Sequence, residues 1–146
     1  MRVILLPLVV FLVGCASAPE APRDPTKEAW YGEAVEKLTP LVRQAETAFA
    51  NHKPDDAAAL IQQAEPIAKR LVSVPQPTLA AAEAASDLDD LYGRMLLSNR
   101  HYGWARMMFQ KNQARWKYWQ PATPDTERRL KKAQDDIAEC DRHIAE

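Results

Sequence analysis

Residues 45–64 read AETAFANHKPDDAAALIQQA, and their pattern decides the fold. Ala, Glu and Gln are strong helix formers. The run Lys53-Pro54-Asp55-Asp56 interrupts them with Pro and two acids, the residues a helix N-terminus favours. The stretch therefore reads as the end of one helix, a tight turn, and the start of a second. Shifting the chain by 48 residues repeats the pattern. Asn51 then meets Asn99, Ala57 meets Ala105, Leu60 meets Met108, Ile61 meets Phe109 and Gln62 meets Gln110. Ahead of the turn, Ala45 meets Gly93 and Ala48 meets Leu96. Small residues facing large ones are what two antiparallel helices need to approach closely.

Working outward, no stretch from residue 26 onward reads as strand, because glycine is scarce and hairpin dipeptides are missing. Asp24-Pro25 opens the first helix, and Thr39-Pro40 either opens another or kinks the first. A helix from Asp55 to Val72 carries Pro66, which bends it. Further helices are expected from about Thr78 to Ser98, from about residue 102 to Trp119, and from Thr123-Pro124-Asp125 onward. In the last one Leu130, Ala133, Ile137, Cys140 and Ile144 form a single apolar stripe. The expected fold is all-α, about five helices in stacked antiparallel hairpins or a small bundle, forming one domain over residues 26–146.

The hairpin pattern resembles a tetratricopeptide repeat. Gly93, Leu96, Ala105 and Phe109 resemble its small, large, small and aromatic positions, and Ala45, Ala48, Ala57, Ile61 and Ala64 resemble the same series. The period is 48 where the family has about 34. Leu41 and Asp89 stand where its Trp is usual, and Lys69 and Lys117 where its closing Pro is usual. A plain helical bundle stays open beside it. The resemblance implies a short concave groove lined by first helices, here Val42, Glu46, Phe49, Asp87, Asp90, Arg94 and Leu97, suited to a modest protein segment. The alternative is that Phe49 and Leu97 close on each other as core.

At the other end of the chain, residues 3–13, VILLPLVVFLV, are continuously apolar. A membrane-spanning helix needs ~20 such residues, so eleven fit the core of a signal peptide, with Arg2 as its positive flank. Leu12-Val13-Gly14-Cys15 resembles the lipobox of bacterial lipoproteins. That resemblance implies cleavage after Gly14, so that residues 1–14 are leader, and lipid on the Cys15 sulfur with acylation of the new amino group. Ala16 implies an outer membrane, facing the periplasm, where the host has two membranes. Cleavage after Ala16 or Ala18, as in an ordinary secretory leader, is the competing reading. Residues 15–25 then hold the lipidated Cys and an Ala/Pro-rich tether. Lipid on Cys15 leaves Cys140 without an intramolecular partner, and its place on the apolar stripe makes it a buried thiol.

Charge nearly balances, 19 Lys plus Arg against 20 Asp plus Glu, which argues against a nucleic-acid partner. No cofactor is expected. His52, His101 and His143 show no HxxxH or HExxH spacing, so no metal site or catalytic site is expected. Cys140 and His143 are helical neighbours, but a structural thiol beside a surface His explains them. Glu83, Asp87, Asp90 and Arg94 read as a solvated, partly paired face. The chain is therefore expected not to be an enzyme.

Residues 91–120 stand apart, with six basic residues, no acid, and three of the four tryptophans. On a helical wheel Tyr102, Ala105, Met108, Phe109, Trp116 and Trp119 share a core face. Trp104, Met107 and Tyr118 fall in another sector, interleaved with Lys111 and Arg115. Either the helix packs on two neighbours and this sector is buried, or it is an exposed aromatic-basic patch for anionic lipid, lipopolysaccharide, cell-wall polymer or an acidic partner. The expected role is an envelope lipoprotein that scaffolds a protein assembly. The alternative is a structural lipoprotein that binds lipid or polymer through residues 91–120.

Overall fold

The computed structural model describes residues 23–145. The leader, Cys15 and the tether as far as residue 22 lie outside the described residues. Five helices follow one another: α1 (Ala29–Ala50), α2 (Pro54–Val72), α3 (Leu79–Ser98), α4 (Tyr102–Lys117) and α5 (Pro124–Ile144). No strand occurs among the described residues. Asp24 starts a short 3-10 turn at Pro25–Lys27 instead of α1 itself, its carboxylate accepting from the Thr26 N–H (3.0 Å). Glu28 then takes an extended backbone, and α1 begins after it. Pro40 and Pro66 both sit inside continuous helices, on exposed positions where water reaches the carbonyls they leave unbonded.

The helices run alternately up and down. α1 and α2 form one hairpin, α3 and α4 a second, α3 packs on both helices of the first, and α5 closes the stack against α4. The 48-residue offset holds for the backbone: α1 and α3 end at Ala50 and Ser98, and α2 and α4 start at Pro54 and Tyr102. The two turns are built alike. His52 and Arg100 have φ of 58° and 60°. His52 N–H reaches Phe49 O and Lys53 N–H reaches Ala48 O, while Arg100 N–H reaches Leu97 O and His101 N–H reaches Leu96 O. This is the Schellman closure, in which one left-handed residue turns the chain and satisfies the last helical carbonyls.

One core fills the space between α1, α2 and α3, with Leu38, Ala45, Ala57, Ile61, Ala64, Leu71, Ala85 and Leu91 buried in it. A smaller one joins α4 and α5 through Ala105, Phe109 and Cys140, with Leu96, Leu97 and Ile137 packed around it. Gly93 allows the second hairpin its aromatic: a Cβ there would lie 2.5 Å from the Phe109 ring. α5 starts on a capping box between Thr123 and Thr126. Its stripe is buried at Ala133 and Cys140, while Ile144 is exposed on the last turn.

Polar groups join α3 to α4 inside this packing. Ser86 is buried; its carbonyl accepts from Asn112 Nδ2 (2.9 Å) and its hydroxyl accepts from Trp116 Nε1–H (2.8 Å). Every buried side-chain nitrogen and oxygen among the described residues has a partner.

Candidate functional site

α4 buries Ala105, Phe109, Asn112 and Trp116, spaced so that they share one helix face. Tyr102, Met108 and Trp119 flank that face half-buried. The remaining sector is not covered by a second neighbour: Trp104 is 63% exposed, Met107 50% and Tyr118 73%. Trp104 and Met107 lie one turn apart near the start of α4. Tyr118 follows its last residue, ~21 Å further along the axis at 1.5 Å per residue. The aromatic sector therefore divides into two separate features.

Its basic members turn inward. Asp89 of α3 is buried, and its two carboxylate oxygens take Lys111 Nζ and Arg115 Nη2, the latter at 2.9 Å. Arg115 also donates to the Asn112 side-chain oxygen. Arg115 is mostly buried and Lys111 half-exposed, so Asp89 ties both cations to α3 while its single charge offsets one of the two. Asp89 was legible only indirectly: with Ala85, Leu88 and Tyr92 it follows the spacing of an apolar stripe, which is an unusual place for a carboxylate.

Beside this pair runs a groove of about 600 Å³ between α2 and α4, floored by α3. Ala68, Val72, Ala85 and Leu88 make its apolar lining, and Glu65, Lys69 and Lys111 stand at its charged rim. Both charge signs around an apolar floor suit a protein segment better than a small anion.

The groove residues expected on the first helices are dispersed. Val42 is core, Leu97 packs against the α4–α5 cluster, and Phe49 packs against the α1–α2–α3 cluster. Asp87 and Asp90 are engaged by α5: Arg129 bonds Asp87 (2.6 Å) and Lys132 bonds Asp90. The reason is that Arg129 and Lys132 of α5, which packs against α4, reach across to the acids of α3. Glu46, Phe49 and Arg94 do come together, at a hollow of about 580 Å³ beside Met95. Arg94 bonds Glu46 and Asp90, and its guanidinium carbon is 5.9 Å from the Phe49 ring centre.

Glu46, Arg94, Asp90, Lys132 and Asp136 thus form one chain of ion pairs across α1, α3 and α5. Burial opposes the charge on Arg94, Arg129 and Lys132, but their carboxylate hydrogen bonds outweigh it and hold each cation's pKa above its ordinary value. Burial raises Asp136 despite Lys132 beside it. Burial, joined by Glu139, Asp136 and Asp141, also raises the Cys140 thiol, which disfavours the reactive thiolate. His143 stacks on Tyr102 at 4.6 Å. No group of three His, Cys, Asp or Glu that could hold a metal occurs among the described residues. No helix among them is long and apolar enough to cross a membrane.

Compared with protein-family models, with curated proteins and with solved structures, the chain finds no match.

Proposed function

We propose that this chain is a lipid-anchored envelope lipoprotein whose helical domain is a protein-interaction module, with tetratricopeptide-like packing of its hairpins. The observation that carries this reading is the exposure of Trp104 and Met107 one turn apart on α4, the helix that forms one wall of the apolar α2–α4 groove. An exposed tryptophan with a large apolar neighbour one turn away is the kind of residue a binding hot spot uses. The lipobox-like Leu12-Val13-Gly14-Cys15 supplies the anchor, and the module would hold a protein segment for a larger envelope assembly. Asp89 holds Lys111 and Arg115 against the fold, and Glu65 with Lys69 and Lys111 puts both charge signs on the groove rim, which favours a protein segment over a phosphate-rich ligand.

The test is crosslinking in intact cells through a photoreactive residue placed at position 104, then purification of the full-length protein and mass spectrometry of the adducts. A protein recovered at near-stoichiometric level, and lost with Trp104→Ala plus Met107→Ala, supports the module. Recovery of only lipid, lipopolysaccharide or wall fragments overturns it in favour of a structural lipoprotein.

A further inference from the structure

We infer that the domain stands on the lipid surface through the end that carries Leu79 and Tyr118. This rests on the lipid anchor at Cys15 proposed above and adds which surface meets the phospholipid headgroups.

The up-down topology gathers three features at one end: the start of α1, the α2–α3 link at residues 73–78 and the α4–α5 link at residues 118–123. Tyr31 fastens the first two, its hydroxyl donating to Leu71 O (3.3 Å) and accepting from the Thr78 N–H (3.0 Å). The chain beyond Arg23 leaves from this same end. Eight residue steps separate Arg23 from Cys15, a reach of at most ~28 Å. α1 alone is ~33 Å long. An inverted domain, with the His52 and Arg100 turns on the membrane, would need a longer tether than the chain provides.

The chemistry of the near end fits a headgroup layer. Leu79 and Tyr118 are exposed there, and Lys117 Nζ lies 5.3 Å from the Tyr118 ring centre. An aromatic body with a cation beside it suits the boundary between acyl chains and headgroups. The outer side of α5 is unsuited to lying flat, since Glu127, Lys131, Gln134, Asp135 and Arg142 are all exposed on it. The competing orientation lays the Trp104–Met107 side of α4 on the lipid.

Single fluorophores at Leu79→Cys, Tyr118→Cys, His52→Cys, Arg100→Cys and Met107→Cys decide this on vesicles of phosphatidylethanolamine and phosphatidylglycerol containing nitroxide-labelled lipid. Cys140 is buried and stays in place. The lipidated protein is used, together with a second preparation in which a polyhistidine sequence replaces residues 1–14, Cys15→Ser removes the acylation site, and nickel-chelating lipid holds the chain. Quenching severalfold stronger at 79 and 118 than at 52, 100 and 107 is the expected result. Equal quenching at all five, or the strongest at 107, 52 or 100, overturns the orientation. The anchor fails separately: protein purified from its own cells without acyl mass at Cys15 refutes lipidation, whatever the quenching in the polyhistidine-held protein shows.

Discussion

Glu46 and Arg94 hold the same place in the two hairpins, 48 residues apart, and they pair with each other. α1 and α3 therefore pack side by side in register, and the pair begins the chain of charges that ends on α5. Such partly exposed pairs contribute little each, ~0–1 kcal/mol, so their effect is on alignment more than on stability.

The charge chain gives a pH signature. The folded-state pKa of Lys132 lies above the ordinary 10.5, so its contribution is fully present below that value and is lost as pH rises through the raised one. Stability followed by urea denaturation should fall on the alkaline side of pH 10.5, and Lys132→Met should flatten that limb.

Gly93 and Phe109 should behave as one unit. Gly93→Ala pushes a methyl group into the ring and should cost about 1–3 kcal/mol. The first hairpin has Ala45 and Ile61 at the matching places. Adding Phe109→Ile to Gly93→Ala should therefore recover part of the loss, and a double-mutant cycle from thermal melts should show coupling of about 1 kcal/mol or more.

The two left-handed turn residues carry an avoidable cost. His52→Gly and Arg100→Gly should each stabilise the fold by about 0.5–1 kcal/mol, read as a rise in melting temperature. A fall would mean that the side chains do more than turn the chain.

Asp89→Ala removes the partner of two cations at once. Arg115 is mostly buried, so the loss should reach ~2–3 kcal/mol, with chemical denaturation as the measure. Lys111→Gln should cost far less, because that ammonium is half-exposed and hydrates on release.

The later helices were legible because the signals are local: Pro54 and Pro124 at first positions, Thr123 as cap, and the α5 stripe through Ala133 and Cys140, whereas Asp24-Pro25 opens only a 3-10 turn and Pro40 lies inside α1. The repeat was legible because small and large residues recur in register. Less legible was what each helix faces. The Trp104 sector reads from the sequence as either buried or exposed, since a helical wheel locates residues on a helix but not the neighbours around it. Asp87 and Asp90 looked available for a partner because their cations, Arg129 and Lys132, come from α5, over forty positions later. Tyr31 escaped notice for the same reason, as its partners lie at Leu71 and Thr78.

The bonds from Asn112 and Trp116 to Ser86 have a mechanical consequence. They fix α4 against α3 at one axial setting, since sliding by a turn would strand three polar groups in a dry interior. At the matching places of the first hairpin stand Leu38, Ala64 and Ala68, which interlock without such directionality. The α3–α4 pair is thus locked by directional bonds, so the α4 wall of the groove keeps its axial setting whatever lies against it.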